Sequence, residues 1–175
     1  MKRLVILGAG GYGQTVYDVA AQLKIYDNIV FLDDNSTDGR VVGKCHEYES
    51  FISSNTDIYP AFGNNVARFD WIQKIVNIGG SVPTLIHPSA YISPTAIIKQ
   101  GSVVLPKAII NTGVLVNCGC IINCGAIIDH GCVLEDGVHI CLGAIVKAEN
   151  KIPKCMKIEA GEVVENRKYP LNGEN

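Results

Sequence analysis

From Ile86 onward an aliphatic residue recurs at every sixth position: Ile86, Ile92, Ile98, Val104, Ile110, Val116, Ile122, Ile128, Leu134, Ile140, Val146, Ile152, Ile158 and Val164. Four residues after most of these the side chain is small, as at Ala108, Cys120, Ala126, Cys132 and Ala144, with Val114 and Val138 the bulkier exceptions. A period of six fits neither a 3.6-residue helix nor a meander of hairpins. It predicts a solenoid in which each hexad makes one short straight side and a bend, and the aliphatic series lines one continuous interior. Extended segments alternate their side chains, so the residue before each inward aliphatic faces out. That column runs Tyr91, Ile97, Val103, Ile109, Leu115, Ile121, Ile127, Val133, His139, Ile145, Lys151, Lys157, Val163. A solvated face is not so apolar. Half-burial of eight or nine such side chains is worth several kcal/mol at ~25 cal/mol per Å², and packing against other subunits is expected.

The first 82 residues carry a different pattern, in which short apolar runs alternate with helical ones. Arg3 to Leu7, Ile29 to Leu32 and Ile58 to Phe62 read as strands, Gly11 to Leu23 and Asn64 to Val76 as helices. This order predicts a small parallel sheet with helices on its faces. The expected organisation is therefore a domain over 1–82 and a solenoid domain over 83–175.

Composition adds exclusions. The chain is 47% hydrophobic and 18% charged with net charge −2, which describes a globular protein. No run of basic residues exceeds a dipeptide, so neither nucleic acid nor an anionic membrane surface is an expected partner. The apolar stretch in MKRLVILGAG is too short for a signal-peptide core, and no run reaches membrane-spanning length. A cytoplasmic protein is expected, without membrane insertion. Its seven cysteines read as small, reduced, mostly buried hydrophobes, because the spacings CxC and CxxxC are poor zinc spacings. No metal site is expected.

Gly8-Ala9-Gly10-Gly11-Tyr12-Gly13 satisfies G-x-G-x-x-G between a strand and a helix, and Asp33 and Asp34 end the next strand. Alone this would suggest a dinucleotide enzyme. About 80 residues leave no room for a second half-sheet or a substrate domain, and a mononucleotide attached to something else fits the half-site better. Free backbone N–H groups at the helix start would receive phosphate. Glycines serving only a tight turn remain the alternative.

The hexads, such as Ile122-Asn-Cys-Gly-Ala-Ile, resemble those of the hexapeptide-repeat acyltransferases, which implies a left-handed parallel β-helix with three hexads per coil and a trimeric assembly. With GAGGYG, FLDD (Phe31 to Asp34) and FGNN (Phe62 to Asn65) ahead of the hexads, nearly the whole chain is similar to the NeuD family of sugar O- and N-acetyltransferases. The fold implied is an α/β Rossmann-like half-domain followed by the β-helix. The activity implied is acetyl-CoA-dependent acetylation of an amino group on a nucleotide-linked sugar in glycan synthesis. O-acetylation of sialic acid or a related sugar is the second reading; a sugar-nucleotide-binding or scaffold protein with lost catalysis is the third. By the same resemblance the sugar-nucleotide contacts are Gly10, Gly11, Tyr12, Asp33, Asp34 and Gly63.

Four histidines occur, at 46, 87, 130 and 139. His46 reads as solvated in a polar loop, and His87 as a surface or interface residue beside Pro88. His130 takes the third place of its hexad, an outward corner held elsewhere by Pro, Thr or Cys. The family's acidic-His pair followed nine residues later by histidine matches Asp129-His130 and His139. The resemblance implies His130 as general base supported by Asp129, and His139 as a contact to acetyl-CoA. A neutral imidazole can take the proton that an amine or hydroxyl loses on attacking a thioester. Gly131 stands where relatives often have an acid. By comparison with the family the hexad run is about one coil short, and the terminal NRKYPLNGEN lacks the family's G-x-P-A segment. Ala148, one coil beyond His130, would offer at most a backbone contact to the pantetheine arm.

Overall fold

In the computed structural model, which describes residues 1–171, the chain divides into two units, Met1–Leu85 and a second from Ile86 on. The first is a four-stranded parallel sheet in the order β3-β2-β1-β4. Its centre is β1 (Arg3–Leu7), buried from Leu4 to Leu7 because neighbours flank it on both edges. On one side lies β2 (Asn28–Leu32), with the short edge strand β3 (Val41–Gly43) beyond it; on the other lies β4 (Thr56–Pro60). Helix α1 (Gly11–Leu23) buries Val16, Val19 and Ala20, and α2 (Asn65–Asn77) buries Phe69, Ile72 and Ile75, each a stripe at helical spacing. Asn64 caps α2 by accepting the Ala67 N–H at 2.9 Å.

Two details differ from the expected elements. The strand expected over Ile58 to Phe62 runs over Thr56–Pro60, in register with β1 from Arg3↔Thr56 to Leu7↔Pro60, which releases Ala61 to Gly63 into a loop. Strand β3 was not anticipated, since three edge residues are too few to show a period. His46 lies exposed in a 3₁₀ helix, Cys45–Phe51, rather than in a loop.

The chain leaves β1 for β2 on one side while β4 occupies the other, so the topological switch lies between β1 and β4. In open α/β sheets a ligand binds at such a switch, outside the carboxyl ends of the strands. The loops there are Gly8–Gly11 after β1 and Ala61–Asn64 after β4.

In the second unit fourteen two-residue strands, β5 (Leu85–Ile86) to β18 (Val163–Val164), form three parallel stacks. Each strand pairs with the one eighteen residues on, as in Ile121↔His139 and Ile127↔Ile145, so one coil is three hexads. The aliphatic series from Val104 to Val164 is buried together with Ala108, Cys120, Ala126, Cys132 and Ala144, while Ile86, Ile92 and Ile98 pack against that core half-buried. Corners turn through a left-handed residue, usually glycine, as at Gly125 and Gly131; Lys107, Glu149, Cys155 and Arg167 hold the same conformation without being glycine.

The outward column divides by stack. Tyr91 and Ile97 are 55% and 61% exposed, and Ile109, Leu115, Ile127, Val133 and Ile145 are half-buried. Val103 and Ile121, at 0% and 1%, are covered within the single chain, so the expectation that the whole column awaits a partner does not hold there.

Candidate functional site

The sequence-derived candidates fall in two groups, one in each unit. In the first unit the turn after β1 begins at Gly8, whose φ of +96° calls for glycine. A Cβ on Gly13 would lie 2.0 Å from the Gly8 carbonyl oxygen, so Gly13 is what lets α1 start hard against the strand. Gly10, Gly11 and Gly63 differ: a Cβ on any of them would meet nothing within 4 Å. Open space over bare backbone at a helix start is what an approaching phosphate needs.

The acidic pair is split in role. Asp33 accepts the N–H groups of Ala9 at 2.7 Å, Asn35 at 2.8 Å and Ser36 at 2.7 Å. These bonds, that from Ala9 foremost, hold its carboxyl below the ordinary value. Its chemistry is spent tying the β2 end to the glycine turn. Asp34 is exposed, with one carboxylate oxygen accepting the Cys45 N–H at 3.1 Å. Tyr12 is turned inward, its hydroxyl 2.8 Å from that of Tyr59, and burial and Tyr59 push its phenol well above its ordinary value. Its outward-facing chemistry is therefore main chain.

In the second unit Asp129 and His130 follow β12 (Ile127–Ile128) at a corner of the coil. His130 is exposed. Asp129 Oδ1 accepts the His130 backbone N–H at 2.7 Å and the Asn111 side-chain amide at 3.3 Å from one coil below. The carboxylate thus braces the corner from which the imidazole projects. Directly above stand Ala148, nearly covered, and Glu149, whose N–H donates to the His130 carbonyl at 3.1 Å. The Glu149 carboxylate is paired with Arg167.

His139 opens β14 (His139–Ile140), facing outward while Ile140 is buried, with Nε2 3.3 Å from Asn123 Nδ2. The His130 corner joins the β12 stack to the stack of β13 (Val133–Leu134), and β14 lies in the third. A corner between two sides of a three-sided coil lies opposite the third side. His130 and His139 of one chain therefore point away from each other across the aliphatic core.

All seven cysteine thiols are free. Burial raises the Cys132 thiol, which donates to the Lys147 carbonyl at 3.2 Å, so it is packing rather than nucleophile. His87 accepts from the Ser89 N–H at 3.0 Å in the first corner of the solenoid. Asn111 and Asn123 were not singled out from sequence. Their signal is position, since each directly follows an inward aliphatic and so faces out beside the next coil's polar residue.

Residues 3–75 match the model of the PglD N-terminal domain family. Over 95% of this chain and 84% of the other, the structure is similar to the acetyltransferase domain of PglB from Neisseria gonorrhoeae, at 37% identity and a TM-score of 0.91. The same domain in complex with acetyl coenzyme A matches at 38% identity and 0.91, over 95% and 83% of the two chains. A mutant of GDP-perosamine N-acetyltransferase from Caulobacter crescentus, in complex with CoA and GDP-perosamine, shares the fold at 24% identity and 0.67, over 95% and 90%. The architecture common to them is an α/β half-domain followed by a left-handed parallel β-helix.

Proposed function

The chain belongs to the NeuD-like family of hexapeptide-repeat acetyltransferases, and from that premise we propose that it moves the acetyl group of acetyl-CoA onto an amino group of a nucleotide-linked sugar. It is an acetyl-CoA-dependent sugar acetyltransferase; the amino group, the nucleotide and the residue roles are our reading. The observation that carries the donor is the likeness to a domain seen with acetyl coenzyme A at 38% identity. The acceptor reading rests on the open backbone of Gly10, Gly11 and Gly63 at the sheet's switch point, with Asp34 exposed beside it for the ribose or base.

His130 takes the amine proton as the nitrogen attacks the thioester carbonyl. The N–C bond forms, the tetrahedral oxyanion leans on a backbone N–H, the C–S bond breaks, and the proton passes to the leaving CoA thiolate. Asp129 fixes the corner that aims the imidazole. Since His130 and His139 diverge within one chain, the His139 that meets the CoA arm at a given His130 comes from a second copy. The assembly is a homotrimer in the cytoplasm, in which the apolar outward stack of Ile97, Leu115 and Val133 beside the His130 corner packs against the His139 side of the next copy. Free thiols suit a reducing compartment. Within the described residues no helix is long and apolar enough to cross a membrane.

The test is release of free CoA from acetyl-CoA with a panel of UDP-, GDP- and dTDP-amino sugars and with sialic acid. Turnover with an amino sugar that is abolished by His130→Ala supports the proposal. Turnover only with sialic acid would replace it by O-acetylation. Nucleotide binding without any CoA release would leave a binding protein, and a monomer by light scattering would remove the shared site.

A further inference from the structure

The corner that carries His130 holds one left-handed residue per coil, at Gly113, Gly131, Glu149 and Arg167, with φ of +67°, +67°, +60° and +56°. The lower two coils meet this requirement with glycine. The upper two place charged side chains there, against the steric preference of L-residues for negative φ. Glu149 and Arg167 are joined from coil to coil, Arg167 Nε donating to Glu149 Oε2 at 2.6 Å while Nη2 pairs with the same oxygen. The Arg167 and Glu149 side chains are 72% and 39% exposed, and an ion pair so open to water contributes too little to explain two strained residues.

Glu149 also lies over the proposed base. Its N–H donates to the His130 carbonyl at 3.1 Å, and its Cγ is 3.6 Å from where a Gly131 Cβ would stand, so the side chain leans toward the His130 coil. Neighbouring coils are about 4.8 Å apart, a span that a glutamate side chain covers. Both Arg167 contacts fall on Oε2, which leaves Oε1 to meet a ligand at the corner. The other carboxylate there, Asp129, is turned back on the His130 N–H and Asn111.

We propose that Glu149 is a specificity-determining residue of the transfer reaction, its Oε1 receiving the acceptor's amino group beside His130 and so favouring an amine over a hydroxyl. This rests on the reading of the acceptor as a nucleotide-linked amino sugar. An alkyl amine titrates above neutral pH and arrives as ammonium, a triple donor that a carboxylate binds by charge as well as by hydrogen bond. A hydroxyl offers one neutral donor. Arg167 on Oε2 keeps the carboxylate aimed and tempers its charge, so the ammonium is held without being locked in its protonated form. The bound ammonium releases one proton to solvent. The amine that remains gives a second proton to His130 as the N–C bond forms, and that proton goes to the CoA thiolate as the C–S bond breaks. One acetamide, one thiol and one proton leave the site.

Initial rates of CoA release by the full-length protein give KM for whichever UDP-, GDP- or dTDP-amino sugar wild type prefers. Competition gives Ki for the same sugar nucleotide with a hydroxyl in place of the amine. Glu149→Gln and Glu149→Gly are expected to raise KM about tenfold, the weight of one charge-assisted contact, while Ki stays at the wild-type value. Glu149→Gly should melt no lower than wild type because glycine suits the left-handed corner, which separates a lost contact from a damaged fold. If it does melt lower, Glu149→Gln decides by the same comparison. Variants whose KM is unchanged, or whose KM and Ki rise together, would overturn the role given to Glu149 and leave the transfer reaction standing. Wild type that releases CoA with sialic acid alone, or with none of the acceptors, would instead remove the amino-sugar reading and this role with it.

Discussion

In the α/β unit the groups turned to solvent at the proposed site are, Asp34 apart, main chain, around Gly10, Gly11 and Gly63, and the side chains Asp33, Tyr12 and Arg68 are turned inward to hold that backbone still. In the solenoid the reverse holds. The backbone is consumed by coil-to-coil bonds such as Asp129 N–H to the Val146 carbonyl at 2.9 Å, and what varies at the corners is side chain. One unit presents backbone on a scaffold of side chains; the other presents side chains on a scaffold of backbone. Substitutions should therefore separate cleanly, structural damage falling on inward side chains in the first unit and functional damage on outward ones in the second.

The largest effect belongs to His130. His130→Ala should lower kcat by about 10²- to 10⁴-fold, the usual weight of a positioned base, with the affinity for sugar nucleotide and the melting temperature unchanged, measured by CoA release, calorimetry and thermal shift. A lower melting temperature would mean that the corner depends on its side chain after all. Next is a pair of glycines. Gly13→Ala must push α1 off β1, because no atom can sit 2.0 Å from the Gly8 carbonyl oxygen, and a loss of several kcal/mol in stability is expected. Gly10→Ala, with open space around it, should leave the melting temperature in place and weaken nucleotide binding instead.

That contrast also marks how far the sequence could be read. The hexad period revealed the coil from Ile86 to Val164 because one physical requirement, an aliphatic side chain pointing inward, repeats without interruption. His130 stood out as a departure from that repeat. In the α/β unit the glycine spacing located the turn, but nothing in a one-dimensional pattern says that Asp33 spends its carboxylate on backbone N–H groups while its neighbour Asp34 stays exposed. The complete burial of Arg68 was equally invisible, since a basic residue in a helix reads as surface until the fold buries it. The covering of Val103 and Ile121 likewise depends on chain path rather than on period.

A smaller effect concerns pH. The bonds from Ala9, Asn35 and Ser36 lower the folded-state pKa of Asp33 relative to the unfolded chain. A depressed carboxyl contributes stability above its unfolded pKa of about 4 and loses it as pH falls through the folded value. Asp33→Asn should thus cost stability at neutral pH and flatten the acid limb of the melting temperature against pH, with little difference between variant and wild type at the most acidic end. The smallest expected effect is at a corner. Lys107 holds a φ of +62° that other corners give to glycine, and Lys107→Gly should raise stability by no more than about 1 kcal/mol in chemical denaturation, strain relief being offset by unfolded-state entropy.

The three-sided coil, with His130 on a corner and His139 on the opposite side, has a genetic consequence for the proposed trimer. Two defective alleles, His130→Ala and His139→Ala, should complement each other when co-expressed, because an interface that draws its base from one protomer and its CoA contact from the other is whole. With random mixing about a quarter of the interfaces would be restored. Each allele alone would have none, so a revived culture from two inactive parents would report the geometry without any structure being determined.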